Sequence, residues 1–162
     1  MITVLPEGGL CNRMRVVASA WLVAKATGQP MRVLWYRTPD FNARFDSIFT
    51  TNGLPFVVLE RTAICRVSRG VFRLREYFAR LFGDYVLGEK ETRPDTFCME
   101  LVAEAIGGRD VFVRTNSRLA YTENMYKLFV PTGEAEEIIE KLLDSVTHCI
   151  GVHIRRTDNT HA

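Results

Sequence analysis

The chain has 162 residues, 47% of them hydrophobic, with 21 Lys and Arg against 19 Asp and Glu and a formal net charge of +2. That length and apolar content suit about one domain with a packed core, and the near balance of charge argues against a polyanion such as nucleic acid as the partner. No apolar run reaches transmembrane length, the start lacks a basic signal-like region, and the four cysteines show no framework spacing; reduced thiols in a cytosol are the simplest expectation.

Ile2-Thr3-Val4-Leu5 reads as a buried strand, followed by the turn Pro6-Glu7-Gly8-Gly9-Leu10-Cys11-Asn12. A helix starts behind it: Met14, Val17, Ala18, Trp21, Leu22, Lys25 and Ala26 recur at helical spacing, and Thr27-Gly28-Gln29-Pro30 supplies the stop. Val33-Leu34-Trp35-Tyr36 then returns as a strand, completing a βαβ unit. A diglycine turn at a helix amino end lets the backbone approach an anion or a sugar, and it is equally the ordinary chemistry of a turn. It has neither the third glycine of a dinucleotide fingerprint nor the Gly-Lys-Ser/Thr of a Walker loop.

Residues 41–49 read as a short helix or turn with apolar anchors, in which Asn42 and Arg44 are a surface turn or face an acceptor, and Phe56-Val57-Val58-Leu59 as a third strand. From Cys65 to Phe82 the spacing is helical, with Val67, Val71, Leu74 and Phe78 on one stripe and Arg66, Arg69, Arg73 and Arg80 opposite. This basic helix, 66–80, is a solvated face or a peripheral contact with an anionic membrane or an acidic glycan acceptor. Residues 83–96 read as a loop, 97–106 as an amphipathic helix, and Val111-Phe112-Val113 as a buried strand trailed by the polar cluster Arg114 to Ser117, which lines the cleft or is an ordinary turn. Thr132 is placed to cap a helix from Glu134 to Val146, whose Ile138, Ile139, Leu142, Leu143 and Val146 are expected to face the sheet. The succession predicts an α/β fold, a Rossmann-like three-layer sandwich with a mainly parallel sheet.

The last strand, Gly151-Val152-His153-Ile154, ends in Arg155 and Arg156 ahead of Thr157-Asp158. Ligands of open α/β sheets collect at the carboxyl ends of strands. Arginine presents a permanent charge and a planar fork suited to phosphate oxygens, and a neighbouring histidine adds a hydrogen bond. The same residues are also consistent with a strand end whose arginines pair with Asp158.

Glu7-Gly8-Gly9-Leu10-Cys11-Asn12-Arg13-Met14 resembles the amino-terminal Gly-Gly-Leu-Gly-Asn-Gln-Met motif of bacterial α-1,2-fucosyltransferases, with Cys11 and Arg13 departing from its Gly and Gln. His153-Ile154-Arg155-Arg156-Thr157-Asp158 resembles the His-x-Arg-Arg-x-Asp motif of the α-1,2-, α-1,6- and protein O-fucosyltransferase superfamily. The resemblance implies a GT-B glycosyltransferase that inverts at the anomeric carbon, takes GDP-fucose as donor and a glycan as acceptor, and needs no metal or other cofactor. It implies donor binding by Gly8, Gly9, Asn12, His153 and Arg155, with Arg155 meeting the charge on the departing diphosphate and Glu7 as candidate general base. No Asp-x-Asp pair or ligand-spaced His and Cys set stands in the sequence. Residues 1–162 then correspond to the amino-terminal domain, and a carboxyl-terminal donor-binding domain of the same parent chain is expected as its partner. On that expectation the 162 residues alone are inactive and the parent works in the cytoplasm, peripheral to the inner membrane face. A noncatalytic nucleotide- or glycan-binding α/β domain is the alternative, kept open by Cys11 and Arg13.

Overall fold

The computed structural model describes residues 1–38, 41–62, 77, 85–88 and 108–146. The chain divides into two compact units, Met1–Thr132 and Gly133–Ala162. Among its described residues the first is built on five strands: β1 (Ile2–Pro6), β2 (Met31–Arg37), β3 (Val57–Thr62), β4 (Tyr85–Leu87) and β5 (Val111–Thr115). They pair in the order β3-β2-β1-β5-β4, and every pairing is parallel. β1 is central, with Ile2 opposite Met31 on one side and Val111 on the other. All five of its residues are buried, as expected of a strand covered on both faces. The expected α/β class, with a parallel sheet and helices, is therefore the observed one.

Helix α1 (Leu10–Thr27) follows β1 and leads to β2. Gly28 ends it in the left-handed conformation, φ 64°, with its N–H on the carbonyls of Ala24 and Lys25, the stop anticipated from Thr27-Gly28-Gln29-Pro30. Its buried residues are Arg13, Val16, Val17, Ala18, Ser19, Ala20, Val23 and Ala24. The expected stripe is thus rotated: Trp21 and Leu22 are half-buried, and Lys25 and Ala26 are exposed. The reason is steric. Alanines and a serine let the helix backbone approach the sheet closely, so small residues rather than the largest ones define the inner face.

The main core joins this face to Ile2, Val4, Met31, Val33, Trp35, Val111 and Val113, alternate residues of β1, β2 and β5. Leu5, Leu34, Val86 and Phe112 form a second, smaller cluster with Tyr36 packed against it. Burying each such side chain contributes about 1.5–3 kcal/mol. Residues 41–49 form turns in which Phe45 and Phe49 stack toward Trp35 and Phe129. Trp35 Nε1 donates to Ala43 O at 3.1 Å, satisfying the indole inside this aromatic group.

One expectation is corrected inside 83–96: Tyr85–Leu87 is a strand, paired with Val111–Val113. Its three residues are too few for a sequence period to register. The expected helices 65–82 and 97–106, the basic face 66–80 among them, lie outside the described residues apart from Tyr77.

In the second unit, α2 (Gly133–Asp144) carries Glu134 and Glu136 in its first turn, favourable at the positive end of the helix dipole. Ile138, Ile139, Leu142, Leu143 and Val146 are exposed on α2, which belongs to a different compact unit from the sheet that they were expected to face. Helical period shows that they share one side of α2; it carries no information on what covers that side. Thr132 stands just before the helix, and its hydroxyl donates to Ser47 O at 3.3 Å. Among the described residues, no helix is long and apolar enough to cross a membrane.

Candidate functional site

The carboxyl ends of β1, β2 and β5 meet the start of α1, and four of the expected site residues, Glu7, Gly8, Gly9 and Asn12, converge there. Gly8 holds φ +82°, open to glycine and strained for other residues. A Cβ at that position would stand 2.8 Å from Asn12 Nδ2, so a larger residue would have to push the Asn12 side chain aside. Gly9 is the N-cap of α1, extended at φ −73° and ψ 178°; having no side chain it supplies no cap hydrogen bond, and the first turn holds no acidic residue. The first N–H to find a carbonyl is that of Arg13, on Gly9 O at 3.1 Å. The preceding amides thus form a donor cluster at the positive end of the helix dipole. Among the described residues, the space beside Gly9 is open: a Cβ there would meet none of their atoms within 4 Å.

Three arginines surround this turn, and of them the sequence alone offers only Arg114, in the strand-end cluster that could line the cleft. Arg13 is 2% exposed. Its Nε donates to Gly8 O at 2.7 Å, a terminal nitrogen to Tyr36 O at 2.5 Å, and the other reaches Thr38 Oγ1 at 3.5 Å. Its guanidinium lies 5.1 Å from the Trp35 ring centroid and 4.6 Å from that of Phe41. Burial pushes the guanidinium down to about 10, against an upward pull from Glu7, so it remains cationic at neutral pH.

On the other flank, Arg15 donates from one terminal nitrogen to Asn12 Oδ1 at 2.9 Å and to Asn116 O at 3.0 Å, tying α1 to the segment after β5. Arg114, near the end of β5, donates to Glu7 Oε1 from Nε and from a terminal nitrogen, each at 2.9 Å. Glu7 is therefore ion-paired through one oxygen, while its side chain keeps 41% of its surface exposed. The polar cluster anticipated at Arg114 to Ser117 is where β5 borders the site. Thr115 is fully buried, with its Oγ1 accepting from Ser117 N at 3.0 Å, so this part is structural.

Arg13 was detectable in principle. It falls on the helical row Arg13, Val17, Ala20, Ala24, all buried, and an arginine on an inner helix row needs a buried partner set. Nothing in the local sequence signals the Arg114–Glu7 pair, 107 residues apart.

His153 and Arg155, with Arg156 and Asp158, lie outside the described residues. Arg44, weighed as an acceptor contact, is engaged by Asp46 and by Glu60 at 3.4 Å. Glu60 Oε1 in turn accepts from the backbone N–H of Phe45 and Asp46, fixing that turn. Cys11 is an exposed free thiol on the first turn of α1. Among the described residues, no group of three or more His, Cys, Asp or Glu side chains is arranged to hold a metal ion. No protein-family model, curated protein or solved structure matches the chain.

Proposed function

We propose that the chain is a Rossmann-like domain of a glycosyltransferase that inverts at the anomeric carbon, needs no metal, and transfers fucose from GDP-fucose to a glycan acceptor. The observation that carries this reading is the uncapped start of α1 behind Gly8 and Gly9, at the carboxyl end of the central parallel strand. Diphosphates bind such amide clusters because the donors are already aimed and the helix dipole favours negative charge. The sequence resemblance of both motifs to fucosyltransferases supports the choice of GDP-fucose. In this reading Gly8, Gly9 and Asn12 shape the donor side, and His153 and Arg155 supply the second diphosphate contact. Arg155 balances charge on the leaving GDP, and Glu7 takes the proton of the acceptor hydroxyl.

Calorimetric titration with GDP-fucose and GDP, repeated on Arg155→Ala, tests the donor assignment. Binding that the substitution reduces at least tenfold is the expected result; heats indistinguishable from buffer with the unsubstituted chain would refute it. The engagement of Glu7 by Arg114 favours a second reading, a noncatalytic nucleotide- or glycan-binding domain, because the carboxylate then serves to hold an arginine. Fucose transfer by the parent enzyme that Glu7→Gln abolishes would exclude that reading.

A further inference from the structure

The geometry points to Arg13 as a positioning residue: its guanidinium latches the Gly8–Gly9 peptide in the orientation that presents the start of α1 to a phosphoryl anion. The inference rests on the function proposed above for the identity of the anion, and on the structure for the latch.

A peptide between two glycines is the least restrained in a chain, since no Cβ penalises its rotation. Left alone, the Gly8–Gly9 plane would sample several orientations, and the donor set beyond it would vary with them. Arg13 removes that freedom. Its Nε holds Gly8 O at 2.7 Å, and in a trans peptide the N–H points opposite to the carbonyl. Drawing Gly8 O toward Arg13 therefore turns Gly9 N–H away from it. The far end of the guanidinium is fixed in turn on Tyr36 O at 2.5 Å, at the end of β2, between the rings of Trp35 and Phe41. One rigid plane thus sets the turn after β1 against the end of β2.

At 2% exposure, Arg13 cannot reach a ligand outside. Its contribution to binding is accordingly geometric, and lysine, with three donors on a single nitrogen and no plane, cannot reproduce it. Glutamine, which the fucosyltransferase motif has here, keeps a donor but loses the charge and the fork.

The test uses the full chain labelled with 15N, as wild type, Arg13→Lys and Arg13→Gln, followed by amide relaxation dispersion, thermal melting and calorimetric titration with GDP. Wild type is expected to give single, sharp Gly8 and Gly9 amide resonances. Both variants are expected to melt cooperatively, to broaden or double those two resonances, and to bind GDP about tenfold more weakly, the equivalent of one charge-assisted hydrogen bond's worth of order. An Arg13→Lys chain with wild-type resonances and affinity would overturn the latch in favour of simple charge. So would single Gly8 and Gly9 resonances in both variants, or broadened ones with unchanged affinity. If one variant fails to melt cooperatively the other carries the test, and failure of both would make Arg13 a core residue with no separable positioning role. Absence of GDP binding in wild type would refute the proposed ligand, while the Gly8 and Gly9 resonances would still decide the latch.

Discussion

Arg114 reaches from β5 to Glu7 just past the end of β1, and its Nε and a terminal nitrogen both stand 2.9 Å from the one oxygen Oε1. The carboxylate lies partly in solvent, so its ion pair contributes at most about 1 kcal/mol to stability. Its larger effect is on the field at the donor site, where it opposes an incoming phosphate. Glu7→Gln is therefore expected to leave urea denaturation within about 1 kcal/mol of wild type and to tighten GDP binding about threefold at low ionic strength. The gain should shrink as added salt shortens the screening length. Weaker GDP binding by Glu7→Gln would show instead that the carboxylate is needed to aim Arg114.

The two glycines of the turn should respond differently to substitution. Gly8→Ala places a side chain at φ +82° and against Asn12, and is expected to cost about 1–3 kcal/mol. Gly9 has an ordinary φ and, among the described residues, open space around it. Gly9→Asp should cap α1 and raise stability by about 0.5 kcal/mol, yet abolish GDP binding by occupying the same amides with a carboxylate. Thermal melts read beside calorimetry separate the two effects, and a Gly9→Asp chain that binds GDP normally would place the anion elsewhere.

Ser19 offers a stability test independent of function. Its hydroxyl is wholly buried, donates to Val16 O at 3.0 Å and accepts from Leu119 N–H at 2.9 Å. Ser19→Ala leaves that amide without its acceptor, at an expected cost of about 1–3 kcal/mol, measurable as a lower urea midpoint with an unchanged slope. An unchanged midpoint would mean that Leu119 finds another acceptor.

Acid should act at the turn held by Arg44, Asp46 and Glu60. The hydrogen bond from Arg44 keeps the Asp46 carboxyl below its ordinary value of 3.8. A carboxyl depressed in the folded state contributes stability that is fully present above 3.8 and is lost as pH falls through the lower folded value. The melting difference between wild type and Asp46→Asn should accordingly be constant from pH 7 to about 5 and close only below 3.8. The effect is small because both side chains are exposed, and a gap that closed nearer pH 6 would point to a different titrating group.

Much of this architecture is written in local patterns. Ile2 to Leu5 and Val33 to Tyr36 read as strands because continuous apolar runs between turn residues fit a sheet covered on both faces. Gly28 stops α1 because the left-handed position favours glycine. What eluded the sequence was set by tertiary contact. The inner face of α1 keeps the expected Val17 and Ala18 but is completed by Ser19, Ala20 and Ala24, which hydrophobic weighting ranks below Trp21 and Leu22. Strand β4 owes its existence to pairing with β5. At the site, the glycines and Asn12 announced themselves as a turn before a helix. Arg13 looked like a departure from a motif until its carbonyl partners, from a turn and from another strand, were in view.

The central claim, that the turn at Gly8 and Gly9 takes the diphosphate of a nucleotide sugar, is tested most directly by mapping GDP onto the amide resonances of the 15N-labelled chain. The expected result is saturable shifts concentrated at Gly8 through Asn12. Saturable shifts elsewhere with these amides unmoved, or no shifts at all, would contradict it.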